Sequence, residues 1–113
     1  MDCVFCKIIK GEIPAKIVFE NDFALAFENI KPVYPVHTLI IPKKHIANIQ
    51  EASADDQEYL AEIMLAIPEI AKIKGVDKSG YRLIVNCGKD SGQSVDHLHI
   101  HLVGGEELPF AAG

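Results

Sequence analysis

No stretch of this 113-residue chain is apolar for long enough to cross a bilayer, which takes about twenty consecutive apolar residues. The first residues carry no basic leader followed by a small-residue cleavage site, so a cytoplasmic protein is expected, with no membrane partner. Positive charge is scarce. Eleven Lys and Arg stand against 16 Asp and Glu, giving a net charge of -5, and only Lys43 and Lys44 adjoin. Without a clustered basic face, nucleic acid is not an expected partner, although backbone donors can still hold a small anion. The three cysteines, an odd number in a chain that does not look secreted, argue against a disulfide framework. The glycines form neither the dinucleotide fingerprint nor a P-loop. No βαβ rhythm is present, which argues against a Rossmann-like fold.

What is present predicts a single α+β domain spanning residues 1–113. Its apolar fraction of 49% is high for a chain this short and points to a homodimer. Phe5, Ile8 and Ile9 recur at helical spacing before Gly11, predicting a short helix. Lys16 to Glu20 and Ala24 to Glu28 flank Asn21-Asp22-Phe23, which predicts a hairpin with a polar turn. His37 to Ile41 reads as a strand ended by Pro42. Ser53 is the expected N-cap of a long helix, with Asp55 and Asp56 in its first turn. Its apolar stripe runs Leu60, Ile63, Met64, Ile67, Ile70, Ala71 and Ile73, and Pro68 should kink or interrupt it. Tyr81 to Asn86 and Val95 to Val103 complete an antiparallel sheet of about five strands, and Gly104-Gly105 ends the last.

Three of the five histidines stand at alternate positions, His97, His99 and His101. On a strand they would share one face, successive rings about 7 Å apart. Four readings are open: a solvated polar face, a three-histidine zinc site, a passive nucleotide surface, or a nucleophile at phosphorus flanked by two helpers. In-line ligands on one strand converge poorly on a metal. The fourth reading gains from the preceding Gly88 to Ser94 loop, whose small residues let backbone amides approach an anion. Ser94 adds a hydroxyl and Gln93 an amide. A histidine that attacks phosphorus needs one nitrogen held by an acceptor and the other bare.

The segment Gly92 to Gly105 resembles the signature of the histidine triad (HIT) superfamily, closest to its nucleotide-binding, phosphoramidase branch. The resemblance extends through Phe5 to Lys16 and Pro35 to Ile46, with Asn86 just before the loop. It implies hydrolysis of purine nucleoside 5′-phosphoramidates through a nucleotidyl-histidine. The alternatives are a dinucleoside polyphosphate hydrolase or nucleotidylyl transferase, and a non-catalytic nucleotide-binding protein. By resemblance His99 is the nucleophile, oriented by the backbone carbonyl of His97. His101 contacts the phosphate, Ser94 or Gln93 lies near the scissile bond, and His37 completes the cluster close to His97. Phe5, Ile8, Phe27 and Ile30 match the base pocket, and Gly92 and Asn86 match the nucleotide-binding segment. The ribose contact, commonly acidic in the family, falls on Asn29, which lacks a carboxylate's charge.

Cys3-Val4-Phe5-Cys6 has the spacing of a zinc half-site, and His45 is a candidate third ligand. Zinc-bearing members of the superfamily resemble this chain there. The set implied by the resemblance is Cys3, Cys6, His45 and His97, holding structural zinc. Cys87 is expected to be a small buried side chain.

Overall fold

The computed structural model describes residues 3–109, so the ends of the expected 1–113 domain, including the last four residues of the tail, lie outside the described residues. Cys3 starts helix α1 (Val4–Ile9) by accepting a hydrogen bond from Cys6 N at its sulfur, and Gly11 turns the chain at φ 76°. Strands β1 (Ile17–Glu20) and β2 (Ala24–Glu28) form the expected hairpin. Asn21 Oδ1 fastens its turn by accepting from Phe23 N at 2.9 Å and Ala24 N at 2.8 Å. Strand β3 (Val36–Pro42) then leads through two 3-10 turns into helix α2 (Gln57–Ile73). Ser53 is a capping residue as expected, but its capping box with Asp56 starts the second 3-10 turn, which runs directly into α2. Pro68 lies inside α2 without interrupting it.

Strands β4 (Tyr81–Ile84) and β5 (Ile100–Gly104) complete an antiparallel sheet in the order β1-β2-β3-β5-β4. The alternation of β2, β3 and β5 separates two cores. Ala24, Ala26, Ile40, Ile100 and Leu102 pack with Ile63, Ile67 and Ile70 of α2. Leu25, Phe27, Leu39 and Ile41 face the other way, under Phe5 and Cys3. Thus α2 covers one face of the sheet, and the short α1 covers part of the other.

Two strand expectations need correction. The last strand begins at Ile100, not Val95, so His97 and His99 lie in an irregular, bending segment ahead of it. The chain there leaves ladder pairing, and Leu98 N instead donates to Ile46 O at 2.6 Å. Strand β4 likewise stops at Ile84, leaving Val85 and Asn86 in the connection. Cys87 is half-buried.

Candidate active site

Helix α1 and the segment after it stand off from the α1-side face of the sheet and leave a cavity of about 790 Å³. Phe5, Ile8, Phe27 and Leu39 form its apolar wall, while Ser94, His99 and His101 mark a polar end. Phe5 meets Phe27 edge-on at 5.4 Å between ring centres, and meets His99 edge-on at 5.3 Å. These contacts hold a flat apolar slot beside the histidines.

His99 is fixed by its own segment. Its Nδ1 donates to the backbone carbonyl of His97 at 2.7 Å, so Nε2 is the bare nitrogen and lies toward the cavity that His99 lines. Only 4% of His99 is exposed. The bend ahead of β5 makes this possible by turning the His97 carbonyl out of any ladder.

The tautomers of the next pair follow from one fixed donor. Val33 N donates to His37 Nδ1 at 3.0 Å, so a neutral His37 carries its proton on Nε2. That proton points to His101 Nδ1 at 2.9 Å, which leaves His101 protonated at Nε2. Burial lowers the pKa of His37, with Glu28 opposing. Burial, then the neighbouring His99 and His37, push His101 down to about 4. Both rings are therefore neutral at pH 7. His101 offers the cavity a hydrogen-bond donor, not a proton.

His97 serves a different place. Its ring is wholly buried, and Nε2 donates to Pro42 O at 3.0 Å, leaving Nδ1 bare. Nδ1 lies 3.4 Å from Cys3 Sγ and 3.6 Å from Cys6 Sγ, and Cys6 Sγ lies 3.4 Å from His45 Nδ1. Tetrahedral zinc, with bonds of about 2.3 Å to sulfur and about 2.0 Å to nitrogen, sets such S···N edges at about 3.6 Å. The four ligand atoms all lie within 4.8 Å of one another. Burial and the adjacent Cys3 thiol raise the Cys6 pKa, so Cys6 needs a cation beside it to be held as a thiolate. The Pro42 carbonyl supplies the outer hydrogen bond a ligating imidazole usually makes. The donor set and its spacing fit a metal ion.

The sequence-predicted residues thus divide. Phe5, Ile8, Phe27, Asn29, Ile30, Ser94, His99 and His101 line the cavity. His37 meets His101 and not His97, because β3 and β5 pair His37 with Val103 and Leu39 with His101, setting the two imidazoles diagonally on one face. Gln93 is a brace of the loop. Its Oε1 accepts from Gly88 N at 2.8 Å, and Nε2 donates to Ala47 O and Val95 O at 2.9 Å each, so neither amide hydrogen is free for a ligand. Gly92 turns that loop at φ 87°, and neither it nor Asn86 lines the cavity. Ile13, Pro14 and Lys16 also border the cavity, unanticipated except as part of the family-like N-terminal block. Their role depends on how the chain returns from α1, which spacing does not reveal.

A profile of the HIT domain matches residues 10–108. A HIT-like protein of Synechococcus elongatus is 48% identical over 112 residues, spanning 99% of this chain and 97% of its own length. Among solved structures, a HIT family hydrolase from Legionella pneumophila superposes with a TM-score of 0.93 at 47% identity, covering 99% of this chain and 100% of its own. A histidine triad protein from Clostridium difficile gives 0.94 at 46% identity, covering 99% and 97%.

Proposed function

This chain belongs to the HIT domain family, and on that premise we propose that it hydrolyses purine nucleoside 5′-phosphoramidates through a nucleotidyl group on His99. One observation carries the reading: His99 Nδ1 is held by the His97 carbonyl at 2.7 Å, with Nε2 bare at the polar end of the cavity. The flat slot between Phe5, Ile8 and Phe27 takes the base, and Ile30, 94% exposed, stands at its rim.

In the first step Nε2 of His99 bonds to phosphorus, and the P–N bond breaks with its electron pair leaving on nitrogen. Solvent at the cavity mouth supplies the proton the departing amine takes up. A neutral His101 cannot supply it, since losing Nε2–H would leave an imidazolate. His101 instead donates to a phosphoryl oxygen, with the Ser94 hydroxyl as a second donor, where negative charge gathers in the transition state. In the second step a water oxygen bonds to phosphorus and releases its proton to solvent. The N–P bond then breaks and returns its electron pair to His99. His37 acts through His101, and Gln93 through the loop that carries Ser94.

Cys3, Cys6, His45 and His97 would hold a structural zinc ion, which with four protein ligands has no open position for water and supplies only rigidity. In that arrangement the His97 side chain fixes the metal, while its carbonyl fixes the nucleophile. A second copy of this chain is the proposed protein partner. Strand β4 is a sheet edge, and Leu83 and Val85 beside it are 38% and 45% exposed, as Leu65 on α2 is at 72%. A two-fold pairing of such edges would cover them. Among the described residues no helix is long and apolar enough to cross a membrane.

The test is covalent. Protein incubated with adenosine 5′-phosphoramidate and quenched in base should gain an adenylyl mass on the peptide containing His99 and release AMP. The His99→Ala variant should do neither. Wild-type protein that neither labels nor releases AMP would reject the assignment.

A further inference from the structure

Asn29 stands directly across from His37. Register pairs Glu28 with Thr38, and Asn29 N continues the ladder by donating to His37 O at 2.9 Å. The Asn29 amide has a fixed orientation. Lys31 N can only donate, and it meets the Asn29 side chain at 3.0 Å, so that atom is the oxygen. The nitrogen, Nδ2, therefore faces His37 Nε2 at 3.1 Å. With Val33 N on its Nδ1, His37 holds its proton on Nε2, so Nε2 and Nδ2 meet as two donors. No hydrogen bond forms between them. The His37 proton has one acceptor left, His101 Nδ1 at 2.9 Å.

We propose that Asn29 is a positioning residue that commits the His37 proton to His101 by presenting His37 with a donor, and so keeps His101 as an Nε2–H donor toward the cavity. A carboxylate at this position would accept from Lys31 N with one oxygen and from His37 Nε2 with the other. It would draw the proton away from His101 and favour a charged His37. Around His37 and His101 the titratable neighbours are His99, whose ring meets His101 at 5.0 Å, and Glu28 on β2, which acts on His37 through space. The Glu28 carboxylate is held by Thr38 and Lys74, and Lys31 in the following loop meets Asn29 through its backbone N. No carboxylate contact to His37 or His101 occurs among the described residues, so burial keeps the pair neutral and Asn29 adds no acceptor that would compete for the His37 proton.

The proposal deepens the hydrolase reading only in its kinetic arm, and a spectroscopic arm stands apart from it. Long-range proton–nitrogen NMR of the full-length 15N-labelled protein distinguishes Nδ1–H from Nε2–H imidazoles directly. The wild-type spectrum should show His37 and His101 both as Nε2–H at pH 7. The Asn29→Asp variant should raise the His37 titration midpoint by at least about one unit, as an opposite charge at this range does. It should also loosen the His101 tautomer and move the acidic limb of the kcat profile upward. The Asn29→Ala variant, which adds no protein acceptor but opens the His37 Nε2–H to solvent, should keep His37 as Nε2–H through Val33 N and loosen the His101 tautomer less than Asn29→Asp does. An Asn29→Asp variant with an unshifted His37 midpoint would overturn the proposal, as would an Asn29→Ala variant that disturbs His101 equally. If wild type released no AMP while the NMR shifts appeared as expected, the hydrolase reading would fail and the role of Asn29 would stand.

Discussion

Hydrogen exchange in α1 should report directly whether a metal ion sits among Cys3, Cys6, His45 and His97. Two of these ligands, Cys3 and Cys6, lie at the start of α1, while His45 and His97 belong to the body of the protein. Opening α1 therefore takes the site apart, and the whole binding free energy of the ion adds to the cost of that opening. Undocking α1 also exposes Phe5, now 6% exposed against Phe27, His97 and His99, at a cost of about 2 kcal/mol. An ion present at a thousand times its Kd contributes about 4 kcal/mol more. Opening should then cost about 6 kcal/mol with the ion and about 2 kcal/mol without it, a change of about a thousandfold in local protection. The amides to follow are Lys7 N and Lys10 N, which donate to Cys3 O and Cys6 O at 3.0 and 3.1 Å. They should be measured on zinc-loaded protein and again after chelation. Amides of Ile40 and Leu102, in the middle of the sheet, serve as the reference and should keep most of their protection. A fall of less than tenfold in α1 with the metal removed would refute this coupling. An equal loss throughout the sheet would refute its confinement to α1.

Three further perturbations separate the parts of the molecule. Glu28 accepts from Thr38 Oγ1 at 2.8 Å and from Lys74 Nζ at 2.6 Å, tying β2 and β3 to the end of α2. Burial pushes its carboxyl up, but Lys74 and Thr38 outweigh this and hold its pKa below the usual value. A depressed folded pKa gives stability that is present above the unfolded value of about 4.3 and lost as pH falls through the folded one. Urea midpoints of wild type should drop on acidification below about pH 4.5, and Glu28→Gln should flatten that drop while costing about 1 kcal/mol at pH 7. Ile30→Ala should leave the urea midpoint within about 0.5 kcal/mol, since the side chain is 94% exposed, yet raise KM several-fold. An unchanged KM would remove Ile30 from the base site. Gln93→Ala should cost about 1–3 kcal/mol by unpairing Gly88 N, Ala47 O and Val95 O. It should also lower kcat through the loop that carries Ser94, and a variant with full kcat would show that Ser94 needs no such brace.

Local pattern made a large part of this molecule legible. The hairpin follows from a polar turn between apolar runs, and α2 from Ser53 and its apolar stripe. The Cys3–Cys6 spacing already marks a half-site, because two residues three apart at a helix start must lie close together. The histidine segment declares its chemistry by residue type alone. The backbone carbonyl that holds His99 lies only two residues away, so that contact too is local.

Where each histidine works was decided by pairing between distant segments. Alternation treats His97, His99 and His101 as equivalent, but β5 begins only at Ile100, and the bend before it turns the His97 ring to Pro42, Cys3 and Cys6. The β3–β5 register then gave His37 to His101, and the β2–β3 register set Asn29 against His37. Gln93 became a brace because Ala47, 46 positions away in sequence, comes to lie beside its amide. A residue's type and spacing limit the bonds it can make. Which of them it does make depends on donors and acceptors brought from elsewhere in the chain, and a one-residue change of register would reassign every one of them.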